Sequence, residues 1–145
     1  MKCAICLLVL AACGDTAEES AQKFCVSEAN KYRAMDGRDP VERSSDLEAF
    51  ADEGAEVDFG TAPHMHFGTD GGGVALAENE CPQQGGWTVA AGESAKTVVA
   101  QCVRAFYEEG AGGGHYENLM GDYAFVGCGI YQEGDAITIV QDFGN

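Results

Sequence analysis

The sequence predicts an α+β domain. Three stretches carry apolar residues at helical spacing, a closing pair of alternating segments is joined by a tight turn, and one further extended segment lies between. The first helix opens on a capping box formed by Thr16 and Glu19 and runs to about Met35, with Phe24, Cys25, Ala29 and Tyr32 on one face. Asp36-Gly37 ends it and Asp39-Pro40 turns the chain. Ser45 and Glu48 form a second capping box, opening a helix that buries Leu47, Phe50, Ala51 and Ala55 and fades near Phe59-Gly60. Val74 to Asn79 reads as a short strand, and Gln83 to Gly92 as a loop with Trp87 half buried. A third helix, from about Ser94 to Glu109, turns Val98, Val99, Cys102, Val103 and Phe106 inward and stops at Gly110. Ala124, Val126, Cys128 and Ile130 then alternate along a strand. Glu133-Gly134-Asp135 turns it, and Ala136 to Phe143 returns with Ile137 and Ile139 on one face.

At 145 residues the chain is one domain's worth, long enough for a proper core. Eight Lys plus Arg stand against 24 Asp plus Glu, a net charge of −16, and such a field repels nucleic acid and favours cations. A nucleic-acid role is therefore set aside. The start has the marks of a secretory leader: Lys2, the apolar run Cys3 to Ala12, and small residues before a cut. Leu10-Ala11-Ala12-Cys13 resembles the bacterial lipobox, in which the cysteine becomes the lipid-bearing first residue. The expected division is a signal peptide over residues 1–12, a short acidic tether over 13–20 and a folded domain over 21–145. Lipid on Cys13 would anchor that domain to the membrane, outside the cytoplasm, in a bacterial cell envelope. Cys25, Cys81, Cys102 and Cys128 remain, an even number in an oxidising compartment, which predicts two disulfides of any of three connectivities.

The polar residues that carry chemistry lie in three places. In an extended chain, residues two apart point the same way, so His64 and His66 are expected to face one cavity, as are Glu78 and Glu80. Glu108 and Glu109 end the third helix just before His115, which follows three glycines that permit close approach and positive φ. Imidazoles and carboxylates converging on a cleft suit zinc or a similar divalent ion. The glycine runs lack the Lys-Ser/Thr of a phosphate loop, and neither a Gly-x-Ser-x-Gly elbow nor a His-Glu-x-x-His helix occurs.

In this order the pieces resemble the CAP superfamily, also called SCP-like, of cysteine-rich secretory, antigen 5 and pathogenesis-related proteins. Asn30 to Arg33 resembles the end of its His-Asn-x-x-Arg, with Ala29 in place of the histidine, and Asp46 to Ala51 resembles its second helix. Ala77-Glu78-Asn79 is similar to its Gly-Glu-Asn, and Phe106 to Glu109 to its Trp-x-x-Glu, with phenylalanine for tryptophan. Gly114-His115-Tyr116, Val126-Gly127-Cys128-Gly129 and the ending Val140 to Asn145 match further family segments. After His115 the chain departs, reading Tyr-Glu-Asn-Leu as in a bacterial branch, and Cys128 lacks the downstream cysteine that often pairs with it in eukaryotic members.

The resemblance spans about Ala21 to Asn145 and implies a three-layer α-β-α sandwich around a small antiparallel sheet. It also implies a central cavity with two histidines and two glutamates, here His66, Glu78, Glu109 and His115, able to take a divalent cation, zinc first. His64 competes with His66, and Glu108 with Glu109. The expected function is a non-enzymatic, envelope-anchored binding module whose groove takes a lipid, peptide or glycan. The alternative is a metal-dependent hydrolase or peptidase using the same four residues, with Glu78 or Glu109 as general base.

Overall fold

Glycine at two alternate positions of one strand decides how closely the layers of this protein stack. The computed structural model describes residues 17–145, and side chains from residue 21 onward. The proposed leader, the lipobox cysteine Cys13, the tether and the Thr16–Glu19 capping box lie outside the described side chains. The elements are α1 (Ala17–Met35), β1 (Glu42–Arg43), α2 (Ser45–Gly60), α3 (Met65–Asp70) and β2 (Ala77–Cys81), then a 3-10 turn (Gln83–Gly85). After it come α4 (Ala95–Glu108), α5 (Gly114–Leu119), β3 (Phe125–Glu133) and β4 (Ala136–Gly144). No helix among the described residues is long and apolar enough to cross a membrane.

The four strands form one sheet in the order β1-β3-β4-β2. β2, β3 and β4 pair antiparallel, as expected, while the two-residue β1 adds a parallel edge. Alternation then sorts side chains between two faces. Val126, Cys128, Ile137, Ile139 and Phe143 join the main core with α1 and α4, whose stripe of Val98, Val99, Cys102, Val103 and Phe106 is buried as the sequence predicts. Each such side chain removed from water contributes roughly 1.5–3 kcal/mol. Two disulfides staple that layer to the sheet: Cys25 of α1 to Cys128 of β3, and Cys81 of β2 to Cys102 of α4. In the chain-entropy account, the crosslink spanning 103 residues stabilises by roughly 4–5 kcal/mol and the one spanning 21 by roughly 3.

Among the described residues the opposite face carries no disulfide, and its core cluster is small. There α2 lies directly on the sheet, because Gly127 and Gly129 face it with nothing beyond hydrogen. A Cβ on Gly127 would stand 2.1 Å from the backbone of Leu47 and Glu48, and one on Gly129 2.0 Å from the backbone of Ala51. Ala51, Ala55 and Val140 fill the thin seam. The sandwich is thus α1/α4/α5, sheet, α2/α3, which bears out the predicted α+β, α-β-α architecture. Details differ at the helix starts. Ser44 rather than Ser45 caps α2, its hydroxyl accepting from Leu47 N–H. The stretches around His66 and His115 form the short helices α3 and α5 instead of loop.

Buried polar groups fix the outer elements to this frame. Arg33, 2% exposed, donates to the carbonyls of Asp39, Leu119 and Gly121 at 2.8, 2.8 and 2.9 Å, so α1 holds the end of α5. Asn30 makes a two-way bond with the backbone of Val41, donating to its carbonyl and accepting its N–H. These are the two residues of the first-helix motif, and each satisfies backbone groups that loop geometry leaves unpaired.

Candidate metal centre

The edge strand β2 is where the candidate residues gather. Its alternation sends Ala77, Asn79 and Cys81 toward α1, α4 and α5, and turns Glu78 and Glu80 toward α2 and α3. Both glutamates are buried. Asp142 of β4 pairs directly with Glu78 across the ladder and so shares its face. Asp58, one turn beyond Gly54 and Ala55 on the buried stripe of α2, is wholly buried. One of its oxygens accepts the N–H of His66 at 2.9 Å, tying down the first turn of α3.

His64 immediately precedes α3 in the left-handed region, φ 62° and ψ 12°, unusual for a residue with a Cβ. Two carboxylates hold it there. Its backbone N–H donates to Glu80 Oε2 and its Nδ1 to Glu78 Oε1, both at 2.7 Å. This corrects the extended-chain expectation. Because α3 begins at Met65, the two are not equivalent: His64 bonds Glu78 directly, whereas the ring of His66 sits under Phe50 without a hydrogen bond to that glutamate. His64 takes the place beside Glu78. The ring of His66, 5% exposed, packs on Phe50 at 4.4 Å with Nε2 3.9 Å from Glu53, and its Nδ1 has no partner.

The second couple comes from the other side of β2. Gly110 ends α4 with φ 68°, and Gly112 turns the chain with φ 93°. A Cβ on Gly113 would lie 2.5 Å from Glu109 Cβ, so only glycine lets that carboxylate close on α5. Glu109 accepts the His115 N–H at 3.0 Å and its Nδ1 at 2.5 Å, while the imidazole stacks on Phe106 at 4.8 Å. Glu108 points away, exposed beside Arg104 at 3.6 Å. Asn79 donates to the carbonyl of His115 at 3.0 Å. Asn118 donates to the carbonyl of Glu78 and to Asn79 Oδ1, at 2.9 and 3.1 Å, which locks α5 to β2.

Two histidine–glutamate couples therefore face each other around the edge strand, with ring centroids of His64 and His115 6.4 Å apart. Each glutamate engages an Nδ1, an arrangement that orients an imidazole and leaves Nε2 for a ligand. Two imidazoles on one tetrahedral zinc, with Zn–N near 2.0–2.1 Å, have centroids roughly 5 Å apart, against 6.4 Å here. His64, Glu78 and Glu80 also offer donor atoms that all lie within 4.8 Å of one another.

The electrostatics follow from burial. The hydrogen bond that His64 donates to Glu78 raises the pKa of His64, aided by the charges of Glu78 and Glu80 against some desolvation. Desolvation pushes Glu80 up to about 7, its bond from the His64 backbone opposing. Desolvation, with Glu78, Asp58 and Glu80 nearby, pushes Asp142 up to about 8. Glu109 is held below its ordinary value by its bond to His115. Within this wall Asp58 Oδ2, Glu78 Oε2, Glu80 Oε1 and both Asp142 oxygens are buried without a hydrogen-bond partner. Alternation in the sequence already points to Glu80. Asp58 and Asp142 depend on helix phase and strand register, which no local motif announces.

A sandwich stapled on one side by disulfides, with paired His–Glu couples across an edge strand, defines a small domain carrying a candidate cation cleft. The family model of CAP, the cysteine-rich secretory protein family, matches residues 26–143, and the chain belongs to that family. Among solved structures, the crystal structure of NaASP2 with Zn2+ shares the fold, with a TM-score of 0.65 at 16% identity. The match covers 92% of this chain and 84% of that one. No curated protein sequence matches the chain.

Proposed function

We propose that this protein is an extracytoplasmic CAP-domain binding module, anchored to a bacterial envelope by lipid on Cys13. Its edge cleft holds a divalent cation, zinc first, and the adjoining surface engages a lipid, peptide or glycan. The observation that carries this reading is the opposition of two imidazoles 6.4 Å apart, each with its Nδ1 already held by a glutamate. His64, Glu78, Glu109 and His115 suit such an ion by donor type, since imidazole and carboxylate are its ordinary partners. The NaASP2 crystal structure, a structure with Zn2+, supports the same choice of ion. When bound, the ion supplies positive charge for an anionic or carbonyl group of the ligand. The chain's own residues orient the imidazoles, exclude water from the inner wall and keep the glutamates acceptors. Calorimetric titration of the full chain with zinc tests the reading. Saturable heats are expected from the wild type and their loss from the His64→Ala/His115→Ala double variant. Equal heats from the two proteins would refute it.

A further inference from the structure

The family resemblance supplies two histidines and two glutamates, but the inner wall of the cleft holds a third glutamate that this set does not use. Glu80 lies two residues beyond Glu78 on β2, so its carboxylate points to the same side. Its side chain is fully buried, its Oε2 lies 3.7 Å from His64 Nδ1, and its Oε1 has no partner. The hydrogen bond from the His64 backbone explains one oxygen and leaves the other unexplained.

Independent groups around it are left in the same state. Asp142, 0% exposed and directly opposite Glu78, has neither oxygen partnered, and the free oxygen of Glu78 is likewise buried. The unpartnered Nδ1 of His66 and Glu78 Oε2 flank one spot above Gly54, lying 3.2 and 3.9 Å from where a Cβ there would stand. Buried acceptors without donors are costly, and clustered buried carboxylates need a compensating charge. The imidazole of His64 is the partner that Glu78 and Glu80 share, and it sits half-exposed at the rim of the wall.

We infer that Glu80 is a direct ligand of the cleft's divalent cation, joining His64 and Glu78 in a carboxylate-rich inner set. The inference rests on the cation reading above and adds a residue to it. One more carboxylate donor makes the site harder, so it accepts Mn²⁺ as well as Zn²⁺.

The experiment titrates the full chain with Zn²⁺ and with Mn²⁺, in wild type, Glu80→Gln and His64→Ala/His115→Ala. Glutamine keeps the volume of the side chain and an oxygen for the His64 N–H, and thermal melts confirm folding. The expected result is at least tenfold weaker binding in Glu80→Gln, with Mn²⁺ losing more than Zn²⁺. Binding within twofold of wild type, or equal loss of both ions as a structural role would produce, overturns the inference. Anomalous scattering from wild-type crystals grown with Mn²⁺ gives a reading free of mutation. A peak about 2.2 Å from a Glu80 oxygen supports direct ligation, and a peak beyond about 3.5 Å overturns it. If Glu80→Gln binds normally while the double histidine variant does not, only the role of Glu80 falls. If wild type binds neither ion, the cation reading itself falls.

Discussion

Gly129→Ala is the perturbation whose consequence the structure sets most directly. The added Cβ would stand 2.0 Å from the carbonyl carbon and oxygen of Ala51 and 2.4 Å from Asp52 N, where real Cβ atoms keep at least 3.0 Å. The helix must therefore lift by about 1 Å, and neither partner can yield, since one is helix backbone and the other a strand paired to β4. Lifting α2 opens the seam of Ala51, Ala55 and Val140, and among the described residues no disulfide holds that layer. Overpacking usually costs about 1–3 kcal/mol, and a clash with backbone on both sides belongs above that, at about 3–5 kcal/mol. For a domain of this size that lowers the melting temperature by roughly 6–20 °C. Scanning calorimetry of the full chain with its disulfides intact measures it. Gly68→Ala is the control. It lies in α3 with nothing within 4 Å of its Cβ position, and alanine there should leave stability unchanged or raise it by up to about 1 kcal/mol. A Gly129→Ala melt within about 2 °C of wild type would refute the claim that the two glycines set the spacing of the layers.

Two further outcomes follow from the inner wall and the leader. Glu80 and Asp142 are raised in the folded state to about 7 and about 8, whereas in the unfolded chain such carboxyls ionise near 4. Between those values the folded state holds more protons, so stability falls as pH rises from about 5 to 8. His64, also raised, acts the same way: its contribution is present below its unfolded value and lost as pH climbs through the folded one. Glu109 is lowered and matters in acid, its contribution fading as pH falls through its folded value. Thermal melts in chelator should therefore give a lower midpoint at pH 8.5 than at pH 6, and a midpoint that rises with pH would contradict the buried-carboxylate assignment. Separately, Cys13→Ser should move the protein from the membrane fraction to the soluble one, and unchanged membrane association would sink the proposed anchor.

Legibility differed by element. The stripe of α4 was readable because it buries one face, and burial imprints its period on the residues directly, while the closing hairpin, though β4 is buried on both faces, was readable from its alternating segments and the turn between them. The short helices α3 and α5 were not. Each has six residues, too few for a period to declare itself, and both form because carboxylates and amides from elsewhere satisfy their backbone. That is why spacing does not tell His64 from His66: local pattern treats them alike, and only the fold sets His64 against Glu78 and Glu80 and the backbone of His66 on Asp58. Glu109 over Glu108 turns on the space that Gly113 leaves, a contact between residues four apart that the glycine run suggests without specifying.

By itself the sequence determined much of the composition of this protein's layers: which of the longer stretches fold as helix or strand, the family, the four cysteines that fall within the domain and the histidines and glutamates available. Those properties are written in periodicity and in short motifs, so they survive without coordinates. Only the tertiary structure decided which cysteines pair, how near α2 lies to the sheet, and which imidazole meets which carboxylate. The physical reason is range. Pairing and close approach depend on atoms brought together from up to 103 residues apart, and a buried charge takes its character from all of them at once.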